Sequence, residues 1–431
     1  MHRIVAPWGS VILANASGRR LTPTTPGIDG MAIAPPPVAN VGLVIHGLSA
    51  LDGRPVAVHV RDGVITAVER IASLPADAAD CFVSPGLIDN QVNGYAGVSF
   101  TTGSGPLTVA GVLTATRALW SVGVTSYLPT LITHAAETYC QSLAVLAEAA
   151  ADPALHGSIL GYHLEGPHIS PHDGFRGAHP ACHVRPPNWA EMERFQAAAR
   201  GGVRTVTVAP ETPGCIDFIR RCTAAGIVVA LGHHEADRAT IDAAVLAGAR
   251  TVTHLGNGCA NTINRHDNPL WPQLANDALH ASLICDGFHL RDDQIAVFHR
   301  VKGTERTILT ADAVHLAMMP PGDYVNDLGD TIRLGADGCV RYPAQGVLAG
   351  AALPLSRGVA KIMQVTGCTL AEAIRMASAN PARLYGITDR GELRPGMRAD
   401  LIVFRSGPDD LAIERTYVAG TLVHDASARA G

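Results

Sequence analysis

Four residues stand at the ends of separate apolar, strand-like runs and carry side chains able to hold and use a divalent cation. Glu165 closes Tyr162-His163-Leu164-Glu165 just ahead of Gly166-Pro167. His233 follows Leu231-Gly232, His254 stands in Thr253-His254-Leu255, and Asp312 closes Ile308-Leu309-Thr310-Ala311-Asp312. One carboxylate and two imidazoles suit a catalytic zinc-type centre that keeps a position open for water. A further carboxylate at a strand end suits a proton carrier. Taken singly, Glu-Gly-Pro is most often a turn, a histidine a core or surface residue, and an aspartate a helix cap. Four such residues at equivalent strand ends point instead to a metal-dependent hydrolase. The pKa of water, about 15.7, falls to about 7 beside a metal ion. Against an aspartate of about 3.9, the mismatch then drops from about 12 units to about 3, or from ~16 to ~4 kcal/mol. Only the smaller figure fits an enzyme barrier.

These side chains can meet only if the intervening elements bring the strand ends together. The middle of the chain alternates strand-like runs, near 83–92, 125–133, 157–165, 203–211, 227–233, 250–255, 280–286 and 307–312, with amphipathic stretches. Within 237–248, Ile241, Ala244, Val245 and Gly248 share one helical face; within 107–120, Val109, Val112, Leu113 and Trp120 do. Eight such alternations predict a (β/α)8 TIM barrel over 83–385. Glu165, His233, His254 and Asp312 then close strands three, five, six and eight at one face. Residues 315–346 read as a long insertion after the eighth strand, where long loops lie over the site. Both ends are β-rich. Val56, Val58 and Val60 alternate, Asp62-Gly63 turns, and Val64, Thr66 and Val68 alternate again, while Asp400–Phe404 and a hairpin near Ala419-Gly420 repeat the pattern. A small β-sandwich domain built from 41–82 and 386–431 is expected, preceded by an extended Pro-, Gly- and Thr-rich arm over 1–40.

Composition narrows the function classes. Of 431 residues, 47% are hydrophobic and 16% charged, with net charge -5. The apolar share supports a large core, and the sparse charge leaves room for oligomerisation. There is no basic run interleaved with aromatics, so no nucleic-acid partner is expected. The run Val11–Ala14, with only Arg3 ahead and Pro7 and Gly9 in between, makes a poor signal peptide. No stretch reaches the ~18 apolar residues of a membrane span. Nine scattered cysteines without a Cys-x-x-Cys fit reduced thiols and a cytoplasmic protein.

An ordered set of short segments also carries a resemblance. Pro85-Gly86-Leu87-Ile88-Asp89, His163-Leu164-Glu165-Gly166-Pro167, Gly177-Ala178-His179-Pro180, Gly232-His233, Thr253-His254-Leu255 and Asp286-Gly287-Phe288-His289 are followed by Asn380-Pro381-Ala382-Arg383 and Pro395–Leu401. Over most of 42–425 this set resembles the N-acetylglucosamine-6-phosphate deacetylase family of the amidohydrolase superfamily. The resemblance implies that Glu165, His233 and His254 bind metal and that Asp312 is the catalytic acid/base. It further implies that His179 contacts the substrate carbonyl region, that Asn257 and Gly258 bind the sugar phosphate, and that His289 contacts substrate. Arg265 would reach the phosphate across a homodimer interface. Many amidohydrolases carry His-x-His after the first strand, and here Gln91-Val92-Asn93 stands instead. Gln91 and Asn93 are then left on the substrate side, implying a single divalent ion, with Zn²⁺ favoured by the donor set. The implied reaction is hydrolysis of the acetamide of an N-acetyl amino sugar, as its 6-phosphate, to acetate and amino sugar.

Three segments depart from the family pattern. Gly256–Asn261 replaces a small apolar stretch, His266-Asp267-Asn268-Pro269 follows Arg265, and Ser170–Arg176 lacks the family's lysine, with Arg176 placed to supply that charge. Two other readings therefore stay open: an amidohydrolase acting on a different N-acyl or cyclic amide, and a non-catalytic sugar-binding member of the fold.

Overall fold

The computed structural model describes residues 42–101, 105–325 and 329–429. The arm expected over 1–40 lies outside them. Eight parallel strands follow one another in chain order around one sheet: Leu87–Val92, Val124–Ile132, Tyr162–Glu165, Val203–Val208, Val228–Leu231, Thr251–Val252, His280–Ile284 and Thr307–Thr310. Helices Val109–Trp120, Ala136–Ala150, Trp189–Ala198, Cys215–Ala224, Arg238–Ala247, Leu270–Ala275, Asp292–Arg306 and Leu355–Thr366 follow the eight strands in turn. Leu87–Val92 and Thr307–Thr310 are buried along their whole length. Strands covered on both faces show no alternation of buried and exposed residues, and here even the polar Asp89, Asn90, Gln91, Thr307 and Thr310 are buried. The helices keep their buried stripe. In Arg238–Ala247, Ile241, Ala244 and Ala247 face inward, the Asp237 side chain accepts the Thr240 N–H, and Gly248 at φ 120° ends the helix.

The seam between the eighth and first strands relies on a side chain. Asn93 N–H donates to Ala313 O at 2.7 Å, and Val92 bridges Ala313. Below this, the fully buried Asp89 carboxylate accepts the Thr310 hydroxyl at 2.7 Å and the Ala311 N–H at 3.2 Å. Burial pushes the Asp89 carboxyl up to about 6 against these hydrogen bonds. Asp89→Ala would strand the Ala311 N–H and the Thr310 hydroxyl. The expected loss is about 1–3 kcal/mol of stability, read as a lower urea midpoint. An unchanged midpoint would mean that the backbone alone closes the barrel.

A second sheet of seven strands uses both ends of the described chain. Its order is Thr421–Asp425, Leu411–Val418, Leu401–Ser406, Phe82–Pro85, Leu43–Ser49, Pro55–Arg61 and Val64–Arg70. Ile45, Val58, Ile65, Val83, Leu401 and Val403 lie in its core. Its hairpins turn at Asp62-Gly63 (φ 52° and 75°) and Ala419-Gly420 (φ 47° and 75°). Two successive positive φ values are what tight two-residue hairpin turns require. Only Gly86 separates this sheet from the first barrel strand, and a Cβ there would lie 2.1 Å from Thr125 Oγ1.

The insertion after the eighth strand has structure of its own. Gly322–Val325, Thr331–Leu334, Val340–Tyr342 and Val347–Leu348 form an antiparallel sheet. The alternation of exposed Thr331 and Arg333 with buried Ile332 and Leu334 is the strand signal that the sequence reading left unassigned. Leu316, Ile332, Leu334, Val340 and Tyr342 form a small core, and Ala178 from the loop after the third barrel strand packs against it.

Candidate metal centre and active site

Glu165 is the last residue of the third barrel strand, while His233, His254 and Asp312 each stand two residues past the ends of the fifth, sixth and eighth. All four therefore open onto the C-terminal mouth. His233 (φ 52°), His254 (φ 29°) and Asp312 (φ 53°) are left-handed. For residues with a Cβ this costs about 1–3 kcal/mol each, and such strain collects at functional sites.

The side chains converge tightly. Glu165 Oε1 lies 2.8 Å from His254 Nε2 and 3.3 Å from His233 Nε2, and the two imidazole nitrogens are 3.1 Å apart. All three residues are buried, and their ligand atoms fall within 4.8 Å of one another. His233 Nδ1–H donates to Phe175 O at 3.0 Å, which turns Nε2 toward the cluster. Burial alone would raise the Glu165 carboxyl. Hydrogen bonds from His233 and His254 nevertheless hold it well below the usual carboxylate range. Two imidazole nitrogens 3.1 Å apart beside a carboxylate oxygen need a positive centre among them, either shared protons or a metal ion. A divalent cation satisfies all three donors at once, and a His2Glu set keeps one position open.

Around this cluster the other residues take separate parts. Gln91 Nε2 donates to Glu165 Oε1 at 3.0 Å, and Asn93 Nδ2 donates to Asp312 Oδ1 at 2.7 Å. The two amides thus engage the two acids. Burial, and then the charge on Glu165, push the Asp312 carboxyl up to about 7. His179 sits edge-on to His233 at 4.4 Å between ring centroids. Its Nδ1 receives the Thr133 N–H at 3.3 Å, so a neutral ring carries its proton on Nε2. Burial, followed by the charge of His233, holds this imidazole down to about 3, so the ring is neutral. His289 Nδ1–H donates to the Asp286 carboxylate at 2.7 Å, and Asp286 also accepts the Phe288 and His289 N–H groups.

Asn257 N–H turns back onto His254 O at 2.9 Å. Gly258 (φ 63°) and Gly177 (φ 61°) flank the His233 ring: a Cβ would lie 2.8 Å from its Nδ1 at Gly258 and 3.0 Å from its Cε1 at Gly177. Gly258→Ala is expected to displace the ring and weaken metal binding by about 10–100-fold, the size of an outer-shell defect. A chelator-competition titration reads this, and an unchanged affinity would show that the ring has room to yield. Arg265 is exposed, and its contacts among the described residues are with His266 and Trp271. A single chain does not bring it into the cluster.

Sequence reasoning gave no role to Asp286, Thr133 or Phe175. Asp286 had a signal, a carboxylate three residues before His289 at a strand end. Phe175 acts through its carbonyl, which carries no side-chain signature, and Thr133 meets His179 Nδ1 with its N–H and, at 2.9 Å, its hydroxyl, a pairing 46 residues apart that no local pattern announces.

Comparison with known proteins places this geometry. Residues 82–423 match the Amidohydrolase family. The chain is 36% identical to N-acetylglucosamine-6-phosphate deacetylase of Bos taurus over 368 residues, covering 82% of this chain and 86% of that one. It is 32% identical to N-acetylgalactosamine-6-phosphate deacetylase of Escherichia coli O157:H7, covering 84% and 93%. Among solved structures it is similar to the D267A mutant of N-acetyl-D-glucosamine-6-phosphate deacetylase from Mycobacterium smegmatis in complex with N-acetyl-D-glucosamine-6-phosphate. That match has a TM-score of 0.76 and 28% identity, covering 89% of this chain and 99% of the other.

Proposed function

Because this chain belongs to the amidohydrolase family, and within it to the N-acetylglucosamine-6-phosphate deacetylases, we propose that it hydrolyses the acetamide of an N-acetylhexosamine 6-phosphate. It is a hydrolase of amide C–N bonds. The observation that carries the hydrolytic reading is the convergence of Glu165, His233 and His254 at a barrel mouth that also holds Asp312, and the sugar-phosphate substrate is taken from the relatives. The donor set favours one zinc ion, with Gln91 and Asn93 spent on the acids and not presented as a second pair of ligands. When bound, that ion supplies Lewis acidity and makes water a stronger acid.

The remaining chemistry belongs to the chain's own groups. Asp312 takes a proton from the attacking water and returns it to the departing amine nitrogen. Asn93 keeps one Asp312 oxygen oriented. His179, neutral with its proton on Nε2, donates to the acetyl oxygen as negative charge develops there. His289, backed by Asp286, meets a sugar oxygen, and Asn257 and Gly258 meet the phosphate.

The same reading makes the protein a cytoplasmic homodimer in which Arg265 serves the partner's phosphate pocket. Arg265 is exposed beside Trp271, itself 53% exposed. Among the described residues, no helix is long and apolar enough to cross a membrane. The test is acetate release from N-acetylglucosamine 6-phosphate, its galacto epimer, both unphosphorylated sugars and a set of N-acyl amino acids, with and without chelator. Turnover of the phosphorylated sugars that chelator abolishes is the expected result. Turnover confined to N-acyl amino acids, or no stoichiometric metal, would overturn the proposal.

A further inference from the structure

We infer that Arg176 is a positioning residue for His179, holding that residue's main chain in place, and that it does not bind the substrate's phosphate. This rests on the role proposed for His179 above. The Arg176 side chain is only 12% exposed. Its Nη1 donates to His179 O at 2.6 Å, its Nε donates to Pro171 O at 3.4 Å, and its Nη2 pairs with the Asp173 carboxylate. Its own N–H donates to His172 O at 2.9 Å. Each of the three guanidinium nitrogens is therefore engaged inside the 170–179 loop. A phosphate is recognised by a free fork of two parallel N–H groups, and here those groups are directed at carbonyls and at a carboxylate.

The loop transmits position to the site at several points. Phe175 O holds His233, Gly177 packs on the His233 ring, and Ala178 packs against the four-stranded insertion sheet. His179 itself is gripped at three points: Thr133 fixes its Nδ1, its N–H donates to Arg176 O at 3.4 Å, and the Arg176 side chain fixes its carbonyl. Without Arg176 the ring keeps its anchor while its main chain loses one. A misplacement of about 1 Å at a reacting group costs on the order of 10²-fold in rate.

The experiment compares wild type, Arg176→Ala and Arg176→Lys on phosphorylated and unphosphorylated N-acetylhexosamines, with metal content measured on each preparation. Arg176→Ala is expected to lower kcat by about 10- to 100-fold on both substrates, with KM and metal stoichiometry unchanged. Arg176→Lys, which keeps one donor for the carbonyl, should recover part of that loss. In a His179→Ala background, Arg176→Ala should add almost nothing. A rise in KM restricted to the phosphorylated sugar would overturn the inference, and so would a full multiplicative loss on top of His179→Ala. If Arg176→Ala does not fold, Arg176→Lys in both backgrounds decides by the same criteria. A wild type that releases no acetate from any sugar sinks the proposed function instead. The hold on His179 is then read by NMR of its main-chain amide: a shifted and broadened His179 amide in Arg176→Ala, partly restored in Arg176→Lys, with the ring kept as the neutral Nε2–H tautomer in both, supports it, and an unchanged His179 amide overturns it.

Discussion

Asp312→Asn is expected to lower kcat by about 10²- to 10⁴-fold while leaving the fold and the metal in place, the range that a positioned acid–base group supplies. The amide keeps the shape of the carboxylate, and its oxygen can still accept the hydrogen bond that Asn93 donates at 2.7 Å. What it loses is the capacity to take a proton. The same substitution should change how metal binding depends on pH. Without metal, burial and the Glu165 charge push the Asp312 carboxyl from 3.8 up to about 7. A cation on Glu165, His233 and His254 offsets that charge and favours the ionised carboxylate. The metal-bound state then holds fewer protons than the metal-free state, so this group makes affinity rise with pH below about 7 and contributes nothing above it. Asp312→Asn should remove this part of the slope. Steady-state turnover and chelator competition across pH read the two effects. Wild-type turnover in the Asn variant would exclude Asp312 as the proton carrier.

Glu165→Gln is expected to cost more metal affinity than the about 10–100-fold typical of an outer-shell change, because it removes the ligand itself. The neutral amide no longer balances the cation, and two imidazoles remain where three donors met. Dialysed Glu165→Gln protein should carry no stoichiometric metal and show no turnover at trace metal. A large excess of divalent ion should restore part of its activity but none of that lost by Asp312→Asn, which separates the ligand from the proton carrier. Stoichiometric metal retained after dialysis would place the centre elsewhere.

The barrel was legible because both faces of its strands are covered, so a strand such as Val228–Leu231 is apolar throughout and stands out between amphipathic helices. The hairpins were legible because Asp62-Gly63 and Ala419-Gly420 are local turn chemistry. The insertion sheet was less so. Its strands are only two to four residues long, and its core of Leu316, Ile332, Leu334, Val340 and Tyr342 exists only once those strands pair.

The residues of the site divide the same way. The types and strand-end positions of Glu165, His233, His254 and Asp312 were determined by the chain alone, because a barrel sends every strand's C-terminal end to one mouth. Which atoms face each other was decided only in three dimensions. Left-handed backbone at His233, His254 and Asp312, two glycines clasping one imidazole, and amides at the end of the first strand turned onto two distant acids appear only in the folded chain. The spending of Arg176 on a carbonyl three residues away, where its charge alone suggested an anion, is fixed by how the 170–179 loop folds. Local sequence specifies the periodicity and turn geometry of each element. The direction in which a polar group points is set by the partner that folding brings to it.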